Sequence, residues 1–161
     1  MTFLTAQFQA LFDAAISSKP HQSFRQQFLS KSEYLLQFKT YAMQVPRQTG
    51  KTSFITNVMK AGDILITCSE EMKRHTIRMY NIHQDQIYVS GCFNYMRPQQ
   101  PRCGKPARFV FFDEVEPNKQ DLSLMVESGL IDDDTIVFGL YTYIPKRLMK
   151  TEYKCHYGVW V

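Results

Sequence analysis

Phe109-Val110-Phe111-Phe112-Asp113-Glu114 is an unbroken apolar run that stops on two adjacent carboxylates. It lacks the polar–apolar alternation of a half-solvated strand. The run therefore predicts a strand buried on both faces, and such strands belong to parallel sheets covered by helices. Asp63-Ile64-Leu65-Ile66-Thr67-Cys68 and Thr135-Ile136-Val137-Phe138-Gly139-Leu140-Tyr141-Thr142 have the same character. Tyr41-Ala42-Met43-Gln44-Val45 reads as a short buried strand, Gln86-Ile87-Tyr88-Val89-Ser90 as another, and His156 to Val161 can supply the last strand of such a sheet. With helical segments alternating between these runs, the fold class expected is α/β, with a mostly parallel five-stranded sheet.

The intervening segments carry helical spacing. Phe3, Leu4, Phe8, Leu11, Phe12, Ala15 and Ile16 recur at helical intervals and Lys19-Pro20 closes that stretch, while His21 to Phe38 reads as a second helix with a break near Ser30 to Ser32. Residues 1–38 thus form an N-terminal helical segment ahead of a core at 39–161. After the third strand candidate, Gly91 to Pro106 is rich in proline and basic residues and reads as a loop. Pro117 to Leu130 predicts a helix that ends near Gly129, and Asp132-Asp133-Asp134 a solvated turn.

At 161 residues the chain is one domain, too short for two nucleotide-binding lobes. The hydrophobic fraction of 44% and the aromatic fraction of 14% exclude a disordered chain. A net charge of +4 permits a polyanionic partner without requiring one. Cys68, Cys92, Cys103 and Cys155 include no C-x-x-C pair, which argues for reduced intracellular thiols rather than a disulfide framework or zinc ribbon. No apolar run approaches the roughly 20 residues needed to span a bilayer, so no membrane partner is expected.

Chemistry concentrates in two places. Val45-Pro46-Arg47-Gln48-Thr49-Gly50-Lys51-Thr52 lies between a strand candidate and Ser53-Phe54-Ile55-Thr56-Asn57-Val58-Met59-Lys60, whose Phe54, Ile55, Val58 and Met59 fall at helical spacing. That context suits a phosphate-cradling loop, with Pro46, Arg47, Gln48, Thr49 and Gly50 bringing the backbone to the phosphates. Lys51 would reach the β- and γ-phosphates, and Thr52 would place a hydroxyl on magnesium. Val45 stands where the first glycine of G-x-x-x-x-G-K-[ST] is usually found. The second place is the Asp113-Glu114 end of the apolar run, where Asp113 would hold the metal through water and Glu114 would act as general base.

Arg47-Gln48-Thr49-Gly50-Lys51-Thr52, together with Asp113-Glu114, resembles the Walker A and Walker B motifs of large terminase ATPases, the viral DNA-packaging motors of the additional-glutamate branch of P-loop ATPases. The likeness covers roughly residues 22 to 145, with the Walker A hexapeptide its distinctive part. It implies a three-layer, RecA-like core, ATP and Mg2+ as ligands, and hydrolysis coupled to translocation or packaging of nucleic acid, DNA above all, in a host cytoplasm. It also implies a glutamine that reads adenine, for which Gln22, Gln26 and Gln27 are candidates and Gln27 has the matching distance. Thr142 takes the place of a γ-phosphate sensor between the two motif strands, and Arg47 that of a cis arginine. A homo-oligomer would bring a second arginine in trans, from Arg74, Arg78, Arg97, Arg102 or Arg147. Thr67 and Ser69 occupy the loop that touches nucleic acid in similar translocases, although Ser69 equally suits a helix N-cap. Tyr95, Arg97, Arg102 and Lys105 mix an aromatic with cations, as phosphate tracking and base stacking require.

From Lys51 to Asp113 there is room for one helix–strand–helix excursion before the chain returns beside the first strand. Glu114 points to water as the phosphoryl acceptor. Two other functions use the same residues: a nucleotide-gated binding module or viral accessory protein with little turnover, and a small-molecule phosphotransferase.

Overall fold

Five strands form one sheet in the order β1-β5-β4-β2-β3. The computed structural model describes residues 3–18, 29–92 and 105–142. The strands are β1 (Thr40–Gln44), β2 (Ile64–Thr67), β3 (Ile87–Val89), β4 (Phe109–Asp113) and β5 (Ile136–Tyr141). Every pair is parallel, with Ala42 opposite Gly139, Phe112 opposite Gly139 from the other side, and Thr67 opposite Asp113. All five carboxyl ends consequently share one edge of the sheet.

Helices cover both faces. On one side lie α1 (Phe3–Ser17), α3 (Lys51–Val58) and α4 (Glu70–Tyr80), and on the other α2 (Lys31–Phe38) and α5 (Lys119–Glu127). Successive strand residues point to opposite faces, so the continuous runs split neatly. Phe109 and Phe111 of β4 join Phe8 and Phe12 of α1 and Phe54 and Ile55 of α3, while Val110 and Phe112 join Tyr34 and Leu35 of α2 and Leu122 and Met125 of α5. Phe12 sits at the centre of an aromatic cluster, with ring centroids 5.2 Å from Phe109 and 5.4 Å from Phe138. Burying each such side chain stabilises by about 1.5–3 kcal/mol relative to leaving it in water.

Several expectations change. β1 is half exposed rather than buried, with Ala42 and Gln44 open to solvent, because it lies at the margin of the sheet. Ile16 is 53% exposed and leaves the apolar stripe, which ends at Ala15. In the second helical stretch, α2 starts at Lys31, where Ser30 and Glu33 form a reciprocal capping box, so the break expected near Ser30 to Ser32 is a helix start; residues 21–28 lie outside the described ones. The passage from Lys51 to Asp113 contains two strands, β2 and β3, and β4 comes to rest between β5 and β2 instead of beside β1. The turn at residues 133–134 is present, but Asp133 in it is 9% exposed and belongs to the interior. The strand proposed at 156–161 also lies outside the described residues, and five strands form without it. Among the described residues, no helix is long and apolar enough to cross a membrane.

Candidate functional site

The loop from Val45 to Gly50 leaves the sheet because its residues stop matching the ladder. Val45 is still held there, donating its N–H to the Tyr141 carbonyl at 2.8 Å and burying its side chain in the core. Pro46, which has no N–H, follows. Gln48 then takes φ 58° and Gly50 φ 77°, and α3 begins. A Cβ on Gly50 would meet nothing within 4 Å, so glycine is required there by the left-handed backbone and not by lack of room. The Thr49 hydroxyl donates to the Pro46 carbonyl at 3.0 Å and braces the turn. Val45 does not take a positive φ and packs its side chain into the core, so the position does not need glycine.

Lys51 opens α3 and is only 3% exposed. Its ammonium donates to the Pro46 carbonyl at 3.0 Å and to Thr142 Oγ1 at 3.0 Å, and it pairs with Glu114 Oε1 at 2.8 Å. Those acceptors match its three protons. Thr52, the next residue, donates its hydroxyl to Asp113 Oδ2 at 2.6 Å. Glu114 follows β4 with φ 61° and is tied down by its N–H, which donates to the Leu140 carbonyl at 3.2 Å. This turn aims the Glu114 carboxylate away from the line of β4 and onto Lys51.

Asp113 is 1% exposed, and its Oδ1 has no hydrogen-bond partner. Burial pushes its pKa up to about 6, with the Glu114 charge adding to the rise, while the Thr52 hydroxyl and the Lys51 charge work against it. An unpartnered carboxylate oxygen in a buried position costs stability unless something occupies it. Asp113 Oδ1 and the neighbouring Thr52 hydroxyl are hard oxygen donors, the type that suits a divalent cation of small radius. Cys68 follows β2 nearby; burial raises its thiol pKa and the charges of Glu114 and Asp113 add to the effect.

The structure brings together Pro46, Lys51, Thr52, Asp113, Glu114 and Thr142 at the carboxyl edge of the sheet. Arg47 and Gln48 are exposed on the outer rim of the loop, as is Pro46 apart from its carbonyl. Lys105 is described and exposed; Gln22, Gln26, Gln27, Tyr95, Arg97, Arg102 and Arg147 lie outside the described residues. Thr67 is corrected: it is fully buried, bonds the backbone at Ser69 and Tyr88, and cannot touch a polymer. Ser69 acts as the N-cap of α4, accepting from the Met72 N–H at 3.2 Å.

Two features had no sequence signal in use. One is the clamp around buried Asp121, which accepts from Ser90 Oγ at 2.6 Å, the Gly91 N–H at 2.9 Å and Asn118 Nδ2 at 2.9 Å, fixing the carboxyl end of β3 to the start of α5. An Asn-x-x-Asp spacing at 118–121 was the available hint. The other is a hollow of about 460 Å³ on the outer side of the loop, lined by Thr5, Gln48, Thr49, Gly50, Ser53, Phe54 and Asn57. Compared with known proteins, the chain matches no family model and no curated protein.

Proposed function

We propose that this chain is a magnesium-dependent ATP hydrolase of the P-loop type with an additional catalytic glutamate. The observation that carries the reading is the contact of Thr52 with Asp113 at 2.6 Å, with Asp113 Oδ1 left open and the buried Lys51 ammonium alongside. A hydroxyl, a bare carboxylate oxygen and a fixed cation at the start of a helix are the parts that a triphosphate–metal site uses, and they support this reading. The strand order adds support, since β5 lies between β1 and β4 and so sets Thr142 between the two motifs, where the terminase resemblance expects a sensor. Among the described residues no three His, Cys, Asp or Glu side chains group as a cage, and a magnesium site that shares phosphate oxygens needs none.

In this reading the Gln48–Gly50 backbone cradles the phosphates, and Lys51 turns from Glu114 to the β- and γ-oxygens. Thr52 and Asp113 would hold the magnesium ion, which when bound supplies charge neutralisation between the β- and γ-phosphates. Glu114, released, accepts a proton from the attacking water as the new O–P bond forms and the β–γ bridging bond breaks, giving ADP and inorganic phosphate. Thr142 positions Lys51 and reports on the γ-phosphate. By the same resemblance, the turnover drives nucleic acid, DNA first among the candidates, and a neighbouring copy completes the site with an arginine, while Arg47 acts in cis.

The test is to measure nucleotide affinity and phosphate release together. Lys51→Ala is expected to weaken Mg-ATP binding by roughly 30-fold or more, because it removes a buried charged contact. Glu114→Gln is expected to keep binding and to lower phosphate release by about 100-fold or more. The Lys51–Glu114 pair favours a second reading, a nucleotide-gated switch in which the base stays engaged. Unchanged phosphate release in Glu114→Gln, with binding lost in Lys51→Ala, would decide for the switch.

A further inference from the structure

The hollow beside the loop shares Gln48, Thr49 and Gly50 with the phosphate site and continues past them to Ser53, Phe54, Asn57 and Thr5. Gly50, Ser53 and Asn57 lie on one side of α3, at the spacing that puts helical residues one above another. From Gly50 to Asn57 the helix rises about 10 Å, comparable to a nucleoside measured from its 5′ oxygen to the far edge of its base. Thr5 of α1 forms the opposite wall, and Phe54 contributes to the lining between them. The Phe54 ring is held by edge contacts to Phe8 and Phe12, with centroids 5.6 Å and 6.2 Å away, so α1 and α3 keep their separation.

The lining contains hydroxyls, amides and one aromatic ring, and no ionised side chain. Another hollow differs in this respect, being lined by Glu71, Arg74, His75 and Arg78 of α4. A neutral, polar group with an apolar face fits the first hollow, and it would be attached to whatever anion sits at the helix start. A volume of about 460 Å³ is ample for a nucleoside.

We infer that the hollow between α1 and α3 is the nucleoside subsite of this chain, and that Asn57 is the residue that reads the base. The inference rests on the ATP reading above and extends it, since that reading concerns only the phosphates. The Asn57 side chain is exposed and its amide both donates and accepts, so it can pair with the adjacent donor and acceptor on the edge of adenine. Ser53 on the α3 side and Thr5 across from it add hydroxyl-bearing side chains to the lining where the ribose would lie. The assignment moves base recognition from the N-terminal glutamines of the terminase resemblance to the helix that follows the loop.

The experiment compares Mg-ATP with magnesium tripolyphosphate, which carries the phosphates without the nucleoside, by calorimetric titration of the full chain. Asn57→Ala is expected to weaken ATP roughly tenfold, the loss of one or two hydrogen bonds, and to leave tripolyphosphate affinity unchanged. Asn57→Trp, which fills the hollow from an exposed position, is expected to exclude ATP while tripolyphosphate still binds. Circular dichroism checks that both variants fold. If neither substitution alters ATP affinity, or if both ligands weaken alike in folded protein, the subsite is not here and the phosphate reading stands. If the wild-type chain binds neither ligand, the ATP reading fails and the subsite with it.

Discussion

Asp113 is the residue on which two requirements conflict. The fold buries a carboxylate and favours its protonated form, raising its pKa from 3.8 to about 6, whereas a cation needs the ionised form. Because the folded state holds this proton more tightly than the unfolded state, the contribution of Asp113 to stability declines as pH rises from about 4 to about 6 and stays unfavourable above. Asp113→Asn is therefore expected to raise stability at pH 7.5 by on the order of 1–3 kcal/mol. Thermal melts should show that gain shrinking at pH 5, where wild-type Asp113 is already protonated when folded. The same variant should lose magnesium-dependent nucleotide binding at every pH, and wild-type affinity for magnesium should weaken below about pH 6. Much of this site was legible beforehand. The carboxylates were exposed by the apolar run they terminate, and Gly50, Lys51 and Thr52 by their order. The Lys51–Glu114 pair was not, because it joins the start of α3 to the residue after β4 and depends on the left-handed turn at Glu114, a conformation that glutamate does not advertise.

At the scale of elements, the close approach of β5 to the segment before α5 depends on a missing side chain. A Cβ on Gly139 would come within 2.9 Å of Pro117 Cγ and 3.4 Å of the Ala42 Cβ. Gly139→Ala is expected to cost about 1–3 kcal/mol from overpacking, visible as a lower denaturant midpoint. It should also loosen the contact of Thr142 with Lys51, three residues along the strand, and raise KM for nucleotide. At α2, Ser30→Ala removes one half of the capping box and is expected to cost about 1 kcal/mol. Glu33 belongs to the same box and donates nothing to the core, yet its carboxylate is held down to about 2 by Lys119, 2.7 Å away, and by Ser30. The cap was written in the sequence as Ser-x-x-Glu, at the place where the break near Ser30 to Ser32 was expected. β4 and β5 were legible because burial on both faces leaves no polar alternation. β1 misled for the converse reason: a short run with Tyr41, Met43 and Val45 looks buried whether its strand is central or marginal, and only the pairing order decides.

For the whole molecule, one lobe carries the proposed phosphate loop, metal pair and base, and Arg47 is the arginine on that loop. If a neighbouring copy completes the proposed hydrolase, ATP turnover per chain should rise with protein concentration through the range in which light scattering shows association. Turnover that stays constant across that range would leave the single lobe self-sufficient. Stimulation by DNA, where it occurs, should fall steeply between 50 and 200 mM salt, as phosphate contacts are screened.

The pairing of β1 with β5 has a further consequence, for synthesis. Among the described strands the first waits for the last: Thr40–Gln44 finds its neighbour only when Ile136–Tyr141 has emerged from the ribosome. Until then β1 has no ladder, and β4 can pair only with β2. Contacts between such distant stretches slow folding and leave a growing chain dependent on protection. A nascent chain ending at residue 135 and released clear of the exit tunnel should be cut readily by protease around Thr40–Gln44, whereas one extended past Thr142 and equally clear should resist there.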